Sequence, residues 1–195
     1  MESARAPGQR AGLSRPAVLA AARDLFAEGG AEAVTMRALA RRLKVAPNAL
    51  YSHVASKTQL LDELLDDLLA SVEAPGTGVD DPVDGIAHLM ASTYAVLTDH
   101  PDLVPLFLAR QGARGPNAVE LGRVMDALLA RAGLRGAAVD EARRVLIIHT
   151  IGFAAFATGA PLASDAERPP AAEDSRREFA RSLRWLLAGI VESAV

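Results

Sequence analysis

The stretch that decides the fold lies near the N-terminus, where residues 35–57 read TMRALARRLKVAPNALYSHVASK. Its first half predicts a short helix, because apolar residues recur at helical spacing and turn the arginines toward other faces. These apolar residues are Met36, Leu39, Ala40 and Leu43. Thr35 precedes them, and a threonine at a helix start accepts a hydrogen bond from an otherwise unpaired backbone amide. The stretch therefore begins with a capped, amphipathic helix.

A second helix is predicted after a short turn at residues 44–46. Pro47 suits the first position of that helix, since its missing amide hydrogen costs little there and its fixed φ is helical. The helix is predicted to run from about Pro47 to His53, with Leu50 and Val54 facing inward. Two short helices joined by a tight turn are typical of a helix-turn-helix, whose second helix enters the major groove of DNA.

The side chains left facing outward in this stretch have the chemistry that DNA contacts need. Asn48 can pair with an adenine edge, Ala49 can touch a thymine methyl, and Arg37 can reach a guanine. Groups better suited to phosphates, which position a protein without reading the sequence, are Tyr51, His53 and Lys57. The alternative is that Tyr51 and His53 only pack within a three-helix bundle and that the arginines form a solvated face.

Several residues in and after this stretch resemble the DNA-binding domain of TetR-family transcriptional regulators: Leu50-Tyr51-Ser52-His53-Val54, Ser56-Lys57 and Leu60-Leu61. The resemblance covers about residues 14–61, and residues 17–26 match the family's preceding helix, which ends at Gly29-Gly30. It implies an all-α fold. An N-terminal three-helix helix-turn-helix domain at 14–61 would be followed by a larger helical ligand-binding and dimerisation domain at 62–195.

The resemblance also implies a role for individual residues. The positions nearest the bases would be Arg37, Pro47, Asn48 and Ala49, and those that hold backbone phosphates would be Thr35, Tyr51, His53 and Lys57. One departure is Ala46, where many relatives carry a polar capping side chain. Its absence costs the second helix about 1 kcal/mol of capping free energy.

Charge is divided unevenly along the chain. The formal net charge is −3, but residues 1–57 hold nine Lys or Arg and four Asp or Glu, a net +5, and the remainder carries a net −8. A basic N-terminal part would bind phosphates in a salt-dependent way. An acidic remainder would be repelled by the duplex. The division could also arise by chance, but it falls where the helix-turn-helix predicts it.

Composition argues against several classes of protein. The chain has no cysteine, which excludes disulfides and thiolate chemistry, and only 4% aromatic residues, which gives strands little support. Neither a metal-binding His-Glu-Xaa-Xaa-His segment nor a phosphate loop is present, so no enzyme, metal or cofactor is expected. Without a signal peptide or membrane-spanning run, we expect a cytoplasmic protein. The competing classes are an enzyme and a helix-turn-helix that binds protein instead of DNA.

The remaining sequence predicts further helices. Ser56 and Gln59 have the spacing of a capping box, and the helix that they open is predicted to reach about Glu73. Its acidic residues are interpreted as a solvated face rather than a metal site: Asp62, Glu63, Asp66 and Asp67. Later helices are predicted at about 82–98, 102–110, 117–132, 139–158 and 175–193. Residues 1–13, which include Arg5 and Arg10, are expected to form a mobile arm and residues 161–174 a flexible loop.

The helical body invites a small-molecule effector site. The side chains predicted to line it combine apolar character with an occasional polar group: His88, Leu89, Tyr94, Leu106, Phe107, Met125, Leu129, His149, Phe153 and Phe156. Ordinary core packing is the alternative for each of them, and His149 is the preferred candidate because a buried histidine needs a partner. The body also resembles that of tetracycline-repressor-type members, which favours a polycyclic or aromatic effector. Where metal-tetracycline binders place a histidine and a glutamate, Phe107 and Phe156 favour a neutral or largely apolar one.

The two long C-terminal helices carry more apolar surface than one core needs, which predicts burial on several sides. We expect them to pair with their copies in a homodimer through Gly152, Ala155, Gly159, Trp185, Ala188 and Val191. A monomer that buries both faces is the alternative. A symmetric dimer would present two recognition helices to a pseudo-palindromic operator. The expected function is a repressor released by its effector, although the sequence is equally compatible with an activator.

Overall fold

The computed structural model describes residues 13–76, 78–159 and 172–193. All of the regular structure in these ranges is helical, which confirms the predicted all-α class. The helices are α1 (Arg15–Ala33), α2 (Met36–Leu43), α3 (Pro47–Leu50), α4 (Lys57–Leu69), α5 (Pro82–Asp99), α6 (Val104–Arg110), α7 (Pro116–Arg131), α8 (Ala137–Ala157) and α9 (Ala172–Glu192). Residues 1–12 of the predicted arm and residues 161–171 of the predicted loop lie outside the described residues.

Two compact units divide the chain, Met1–Leu64 and Leu65–Val195. The division falls inside α4, close to the boundary expected after residue 61. In the first unit, α1 packs against α2, and α2 against α3. Their shared core is built from fully buried side chains: Val18, Ala22, Leu39, Leu50 and Leu60. Each buried leucine contributes about 1.5–3 kcal/mol relative to an exposed one, so this small core depends on a few residues.

Local capping sets the starts of the helices in this unit. Ser14 Oγ accepts a hydrogen bond from the Ala17 amide at 3.3 Å, and Thr35 Oγ1 accepts one from the Ala38 amide at 3.1 Å. Ser56 Oγ accepts from the Gln59 amide at 3.1 Å, as the capping box predicts. The reciprocal bond is displaced by one residue, because Gln59 Oε1 accepts from the Ala55 amide at 2.9 Å instead of the Ser56 amide.

A glycine pair interrupts α1 where the sequence predicts its end. Gly30 has φ 64° and ψ −162°, a combination that almost only glycine adopts. One further helical turn follows the break and ends at Ala33, so the helix assignment continues past it. The change of direction leads into Val34, which is fully buried.

In the second unit, α5 packs against α7, α8 and α9, and α6 packs against α8. Gly85 permits the close approach of α5 and α7, because a Cβ there would lie 2.9 Å from Leu128 Cδ2. No helix within the described ranges is both long and apolar enough to cross a membrane.

The helix α4 ends at Leu69, earlier than the predicted Glu73. Beyond it the backbone bonds shorten to three-residue spacing, as in the bond from the Val72 amide to the Leu69 carbonyl at 3.1 Å. The Glu73 amide then donates to Ser92 Oγ of α5 at 2.8 Å. A contact to another helix therefore replaces the last predicted turn.

Candidate nucleic-acid interface and effector cavity

The turn between α2 and α3 depends on a left-handed residue. Lys44 has φ 55° and ψ 42°, and the Val45 amide donates back to the Ala40 carbonyl at 3.0 Å. This is the bonding pattern that ends many helices, usually with glycine at the left-handed position. Ala46 then adopts an extended conformation and makes no side-chain cap, and Pro47 occupies the first helical position as predicted.

The helix α3 exposes the residues that were predicted to read bases. Pro47, Asn48 and Ala49 are exposed, and Leu50 beneath them is fully buried. Regular helix stops at Leu50, earlier than the predicted His53, and a turn continues through residues 51–53. The reason is local, because Ser52 Oγ donates to the Ala49 carbonyl at 2.8 Å and so competes with the helical pattern.

The phosphate candidates that follow α3 are also accessible. Tyr51 is 55% exposed, His53 is half-buried, and Val54 beside them is buried. Lys57 Nζ lies 3.8 Å from Glu32 Oε1, a long contact to a side chain that is 98% exposed. Because exposed pairs of this kind contribute only about 0–1 kcal/mol, the ammonium group stays available to an anion.

Thr35 keeps a hydrogen-bond donor free while it caps α2. Its oxygen accepts from the Ala38 amide, so its hydroxyl hydrogen can still be donated to a phosphate. The first turn of α2 carries no acidic residue, which leaves the positive end of the helix dipole uncompensated.

The arginines of α2 fall into two groups. Arg42 binds Glu28 at 2.5 Å and lies 3.6 Å from Asp24, and the hydrogen bond to Glu28 is the main cause of its raised pKa. Arg37 and Arg41 are exposed, lie four residues apart on one helix face, and have no acidic partner within the described residues. Lys44, three residues further, has none there either. The sequence analysis missed Arg41 and Lys44 as candidates for DNA contact, although their spacing of four and seven residues from Arg37 places all three near one face of the helix.

The second unit contains a cavity of about 170 Å³. Of the predicted pocket residues, Leu89, Phe107 and Met125 line it. Its polar groups were not predicted; they are Thr93, Gln111, Arg143 and Thr150. Arg143 is held by Asp126 and by Asp140, the latter at 2.8 Å. The cavity is thus mainly apolar, and Arg143, the one cationic side chain among the described residues that line it, is already paired.

Comparison with known proteins shows what this chain is similar to. A family model described as bacterial regulatory proteins of the tetR family matches residues 18–64. An HTH-type transcriptional regulator from Saccharopolyspora erythraea is 34% identical over 140 residues, which are 72% of this chain and 59% of the relative. Residues 18–64 of this chain are therefore similar to the tetR family. It spans about three-fifths of the length of that curated relative.

The fold is also similar to that of solved structures. The crystal structure of BioQ from Mycobacterium smegmatis is 28% identical, with 92% of this chain and 99% of that chain covered and a TM-score of 0.75. A structure of BioQ with its natural double-stranded DNA operator is also 28% identical, with 93% and 99% covered and a TM-score of 0.68.

Several predicted pocket residues lie outside the cavity of about 170 Å³. Tyr94, His149 and Phe153 form an aromatic cluster with Phe179, in which the rings of Tyr94 and Phe179 stack with centroids 4.2 Å apart. His88 is exposed on α5. The cluster does not line this cavity, and burial raises the pKa of Tyr94 within it.

Phe156, Leu106 and Leu129 also do not line the cavity. Phe156 is 69% exposed, because it lies on the outer face of α8. Leu106 and Leu129 are buried in the helical core.

His149 has a side-chain partner within the protomer. Its Nε2 lies 3.0 Å from Ser182 Oγ, which itself donates to the Phe179 carbonyl at 3.0 Å. Ser182 must therefore accept from His149, which places the imidazole proton on Nε2. The Nδ1 atom is buried without a hydrogen-bond partner in the described structure. Burial lowers the pKa of His149.

The acidic residues of α4 are not one solvated face. Asp66 is only 5% exposed and accepts hydrogen bonds from the Ala118 amide at 2.9 Å and the Asn117 amide at 3.2 Å. Glu63 Oε1 accepts from Arg15 at 2.5 Å and from Gln59 at 2.8 Å. The interpretation of these two side chains as solvated was wrong, because each one joins a helix to a distant segment. Within the described ranges, His and acidic side chains form no group of three or more suited to a metal ion.

The predicted dimer residues separate into an exposed set and a buried one. Trp185 is 69% exposed, and Gly152, Gly159 and Ala188 are also exposed. Val191 is half-buried. Ala155 is fully buried within the protomer, so its assignment to a contact with a copy was wrong. Ile148 and Phe156 of α8 add exposed apolar surface, at 62% and 69%.

Proposed function

We propose that this chain is a DNA-binding transcriptional regulator, a repressor that binds a pseudo-palindromic operator as a homodimer and is released by a small, largely apolar or aromatic effector. The observation that carries the proposal is the short helix α3, which exposes Pro47, Asn48 and Ala49 over the buried Leu50. Small exposed residues let a helix approach base edges closely, and Asn48 can read an adenine.

Phosphate contacts would come from residues around α3. Tyr51, His53 and Lys57 follow it, and Thr35 with the N-terminus of α2 lies before it. Arg37 and Arg41, whose charges have no acidic partner within the described residues, add positive charge on one face of α2. The structure of BioQ with its natural DNA operator supports this use of the fold, since that protein is 28% identical to this chain.

The homodimer is supported by exposed apolar surface on the two C-terminal helices. Ile148, Phe156 and Trp185 are each more than 60% exposed in the protomer. Adding a Cβ at Gly152 or at Gly189 would meet no atom within 4 Å, so both helix faces are open to a neighbour. Covering such surface is favourable by about 25 cal/mol for each Å² of apolar area.

The lining of the cavity favours a mainly apolar effector. Its volume of about 170 Å³ is close to that of an engineered apolar cavity of about 150 Å³ that binds benzene. Phe107, Gln111 and Arg143 also line a neighbouring pocket of about 690 Å³, so the volumes fit both a single-ring molecule and the polycyclic one that resemblance to tetracycline-repressor-type members suggests. The effector would release the operator by binding more tightly to the arrangement that cannot engage DNA. A tilt of α4 is the proposed link between the two events.

The first test is selection of bound sequences from randomised duplex DNA by the full-length protein. We expect an inverted repeat whose affinity falls with added salt. Asn48→Ala should lower affinity by about 1–3 kcal/mol and relax specificity at one position. Arg37→Ala should also weaken binding. Its control is Arg123→Ala, an exposed arginine of α7, because this change removes the same charge far from α3 in the sequence.

Two outcomes would contradict the proposal. If no sequence is enriched and no salt-dependent binding occurs, the helix-turn-helix is a protein-interaction module. If a compound bound in the cavity is converted to product, the protein is an enzyme instead.

A further inference from the structure

The carboxylate of Asp66 caps a helix other than its own. Asp66 lies near the end of α4, and its Oδ1 accepts from the Ala118 amide at 2.9 Å. Its Oδ2 accepts from the Asn117 amide at 3.2 Å and from Asn117 Nδ2 at 3.0 Å. The Asp66 carbonyl accepts a further bond from Asn117 Nδ2 at 3.1 Å. Four hydrogen bonds thus connect one turn of α4 to the first turn of α7.

Gly115 makes this arrangement possible. It occupies the N-cap position of α7 and supplies no side-chain cap of its own. A Cβ at this position would lie 2.2 Å from Asp66 Cγ, which no real pair of atoms tolerates. The carboxylate of Asp66 therefore takes the place that a capping side chain would fill, and any larger residue at 115 would displace it.

The same turns form part of the cavity wall. Ala118, whose amide binds Asp66, lines the cavity, and so do Leu121 and Met125 further along α7. Leu69, three residues beyond Asp66 on α4, lines it as well. An occupant that shifts the start of α7 must therefore either move Asp66 with it or leave a buried carboxylate without its donors, which is strongly unfavourable.

We propose that Asp66 is the positioning residue through which the cavity and the operator-binding state influence each other. The inference rests on the proposed function. The helix α4 is continuous from Lys57 to Leu69, and the proposal requires that a shift of its last turns also moves its first turns. Coupling between two sites is reciprocal. Operator DNA should therefore alter the first turn of α7 even when no effector is present.

The test is amide hydrogen exchange of the full-length protein, free and bound to its selected operator duplex. In the wild type, exchange at Asn117 and Ala118 should change by about fivefold or more on DNA binding, the lower range for allosteric coupling. Asp66→Asn, which removes the charge and one acceptor, should abolish that change. Gly115→Ala should do the same without altering any charge.

Matched variants separate this role from a structural one. Asp67→Asn makes the same change of charge one residue away at an exposed position, and Gly76→Ala adds a Cβ that meets no atom within 4 Å. Both should retain the wild-type response. A purely structural role for Asp66 would raise exchange equally in the free and bound states and preserve the DNA-dependent change.

The possible failures can be told apart. If the wild type binds its operator and exchange at Asn117 and Ala118 does not respond, the coupling is disproved and the proposed function stands. If the response persists in Asp66→Asn and in Gly115→Ala, coupling exists but does not pass through Asp66. If the protein selects no operator, the proposed function fails, and the inference fails with it.

Discussion

The helix-turn-helix segment is shaped by contacts between residues close in sequence, whereas the helical body is shaped by contacts between residues far apart. Between Thr35 and Val54, every structural feature has a nearby cause, such as the hydroxyl of Thr35, the ring of Pro47 or the hydroxyl of Ser52. In the body, the decisive contacts join residues far apart in sequence, such as Asp66 with Ala118 or Tyr94 with Phe179. Contacts between neighbouring residues can be predicted from a sequence, whereas contacts between distant residues depend on how whole helices pack.

The largest effect on the free energy of unfolding is expected from a substitution in α9 of the helical body. Phe179 of α9 is 1% exposed and contacts three other rings, so Phe179→Ala should lower the free energy of unfolding by about 3–5 kcal/mol. Trp185 lies on the same helix and is 69% exposed. Trp185→Ala should leave the protomer nearly unchanged but weaken the proposed dimer. Urea unfolding at several protein concentrations, together with sedimentation, measures both; an equal loss in the two variants would contradict this contrast.

An intermediate effect is expected in the first unit. Gly30 holds a conformation that costs other residues about 1–3 kcal/mol, so Gly30→Ala should destabilise the fold by that amount. Gly76→Ala is the control, since it adds a methyl group in open space. Thermal unfolding followed by circular dichroism would test this. If the two variants were equally stable, the break in α1 would be less demanding than its dihedral angles indicate.

A smaller effect is expected at Lys44, where one substitution should raise stability and lower DNA affinity. Its left-handed conformation costs a non-glycine residue roughly 1–2 kcal/mol, so Lys44→Gly should stabilise the helix-turn-helix by up to that amount. The same change removes a positive charge and should weaken DNA binding at low salt. Unfolding experiments and a salt titration of operator affinity separate the two effects. Lys44→Asn is the control, because asparagine tolerates the left-handed conformation and carries no charge.

The smallest effect is a dependence of stability on pH. Burial lowers the pKa of His149 in the folded state, so the unfolded chain binds the proton more readily. Stability should therefore be complete above about pH 6.5, the ordinary pKa of histidine, and should fall as the pH drops below that value. His149→Gln should flatten this part of the profile, and His88→Gln, at an exposed position of α5, is the matched control. A profile unchanged by His149→Gln would show that other groups cause the acid sensitivity.

Sequence patterns predicted the structure best where the residues that determine a feature lie within one helical turn. The caps at Ser14, Thr35 and Ser56 form as expected, and α5 spans nearly its predicted range. The pattern was least successful for the effector site. Tyr94 and His149 have the residue types of a ligand site, but they pack against Phe179 across two helices, and no periodicity in either segment specifies that partner.

The sequence by itself determined the all-α class, the helix-turn-helix and the outward set of α3, because capping, proline geometry and helical periodicity act within a few residues. Only the tertiary structure decided that Asp66 is buried, that Ala155 faces the core and that Phe107 and Met125 share a cavity. These outcomes depend on which helix faces meet. A buried carboxylate requires donors, and the donors of Asp66 come from a turn 51 and 52 residues away that only folding brings close.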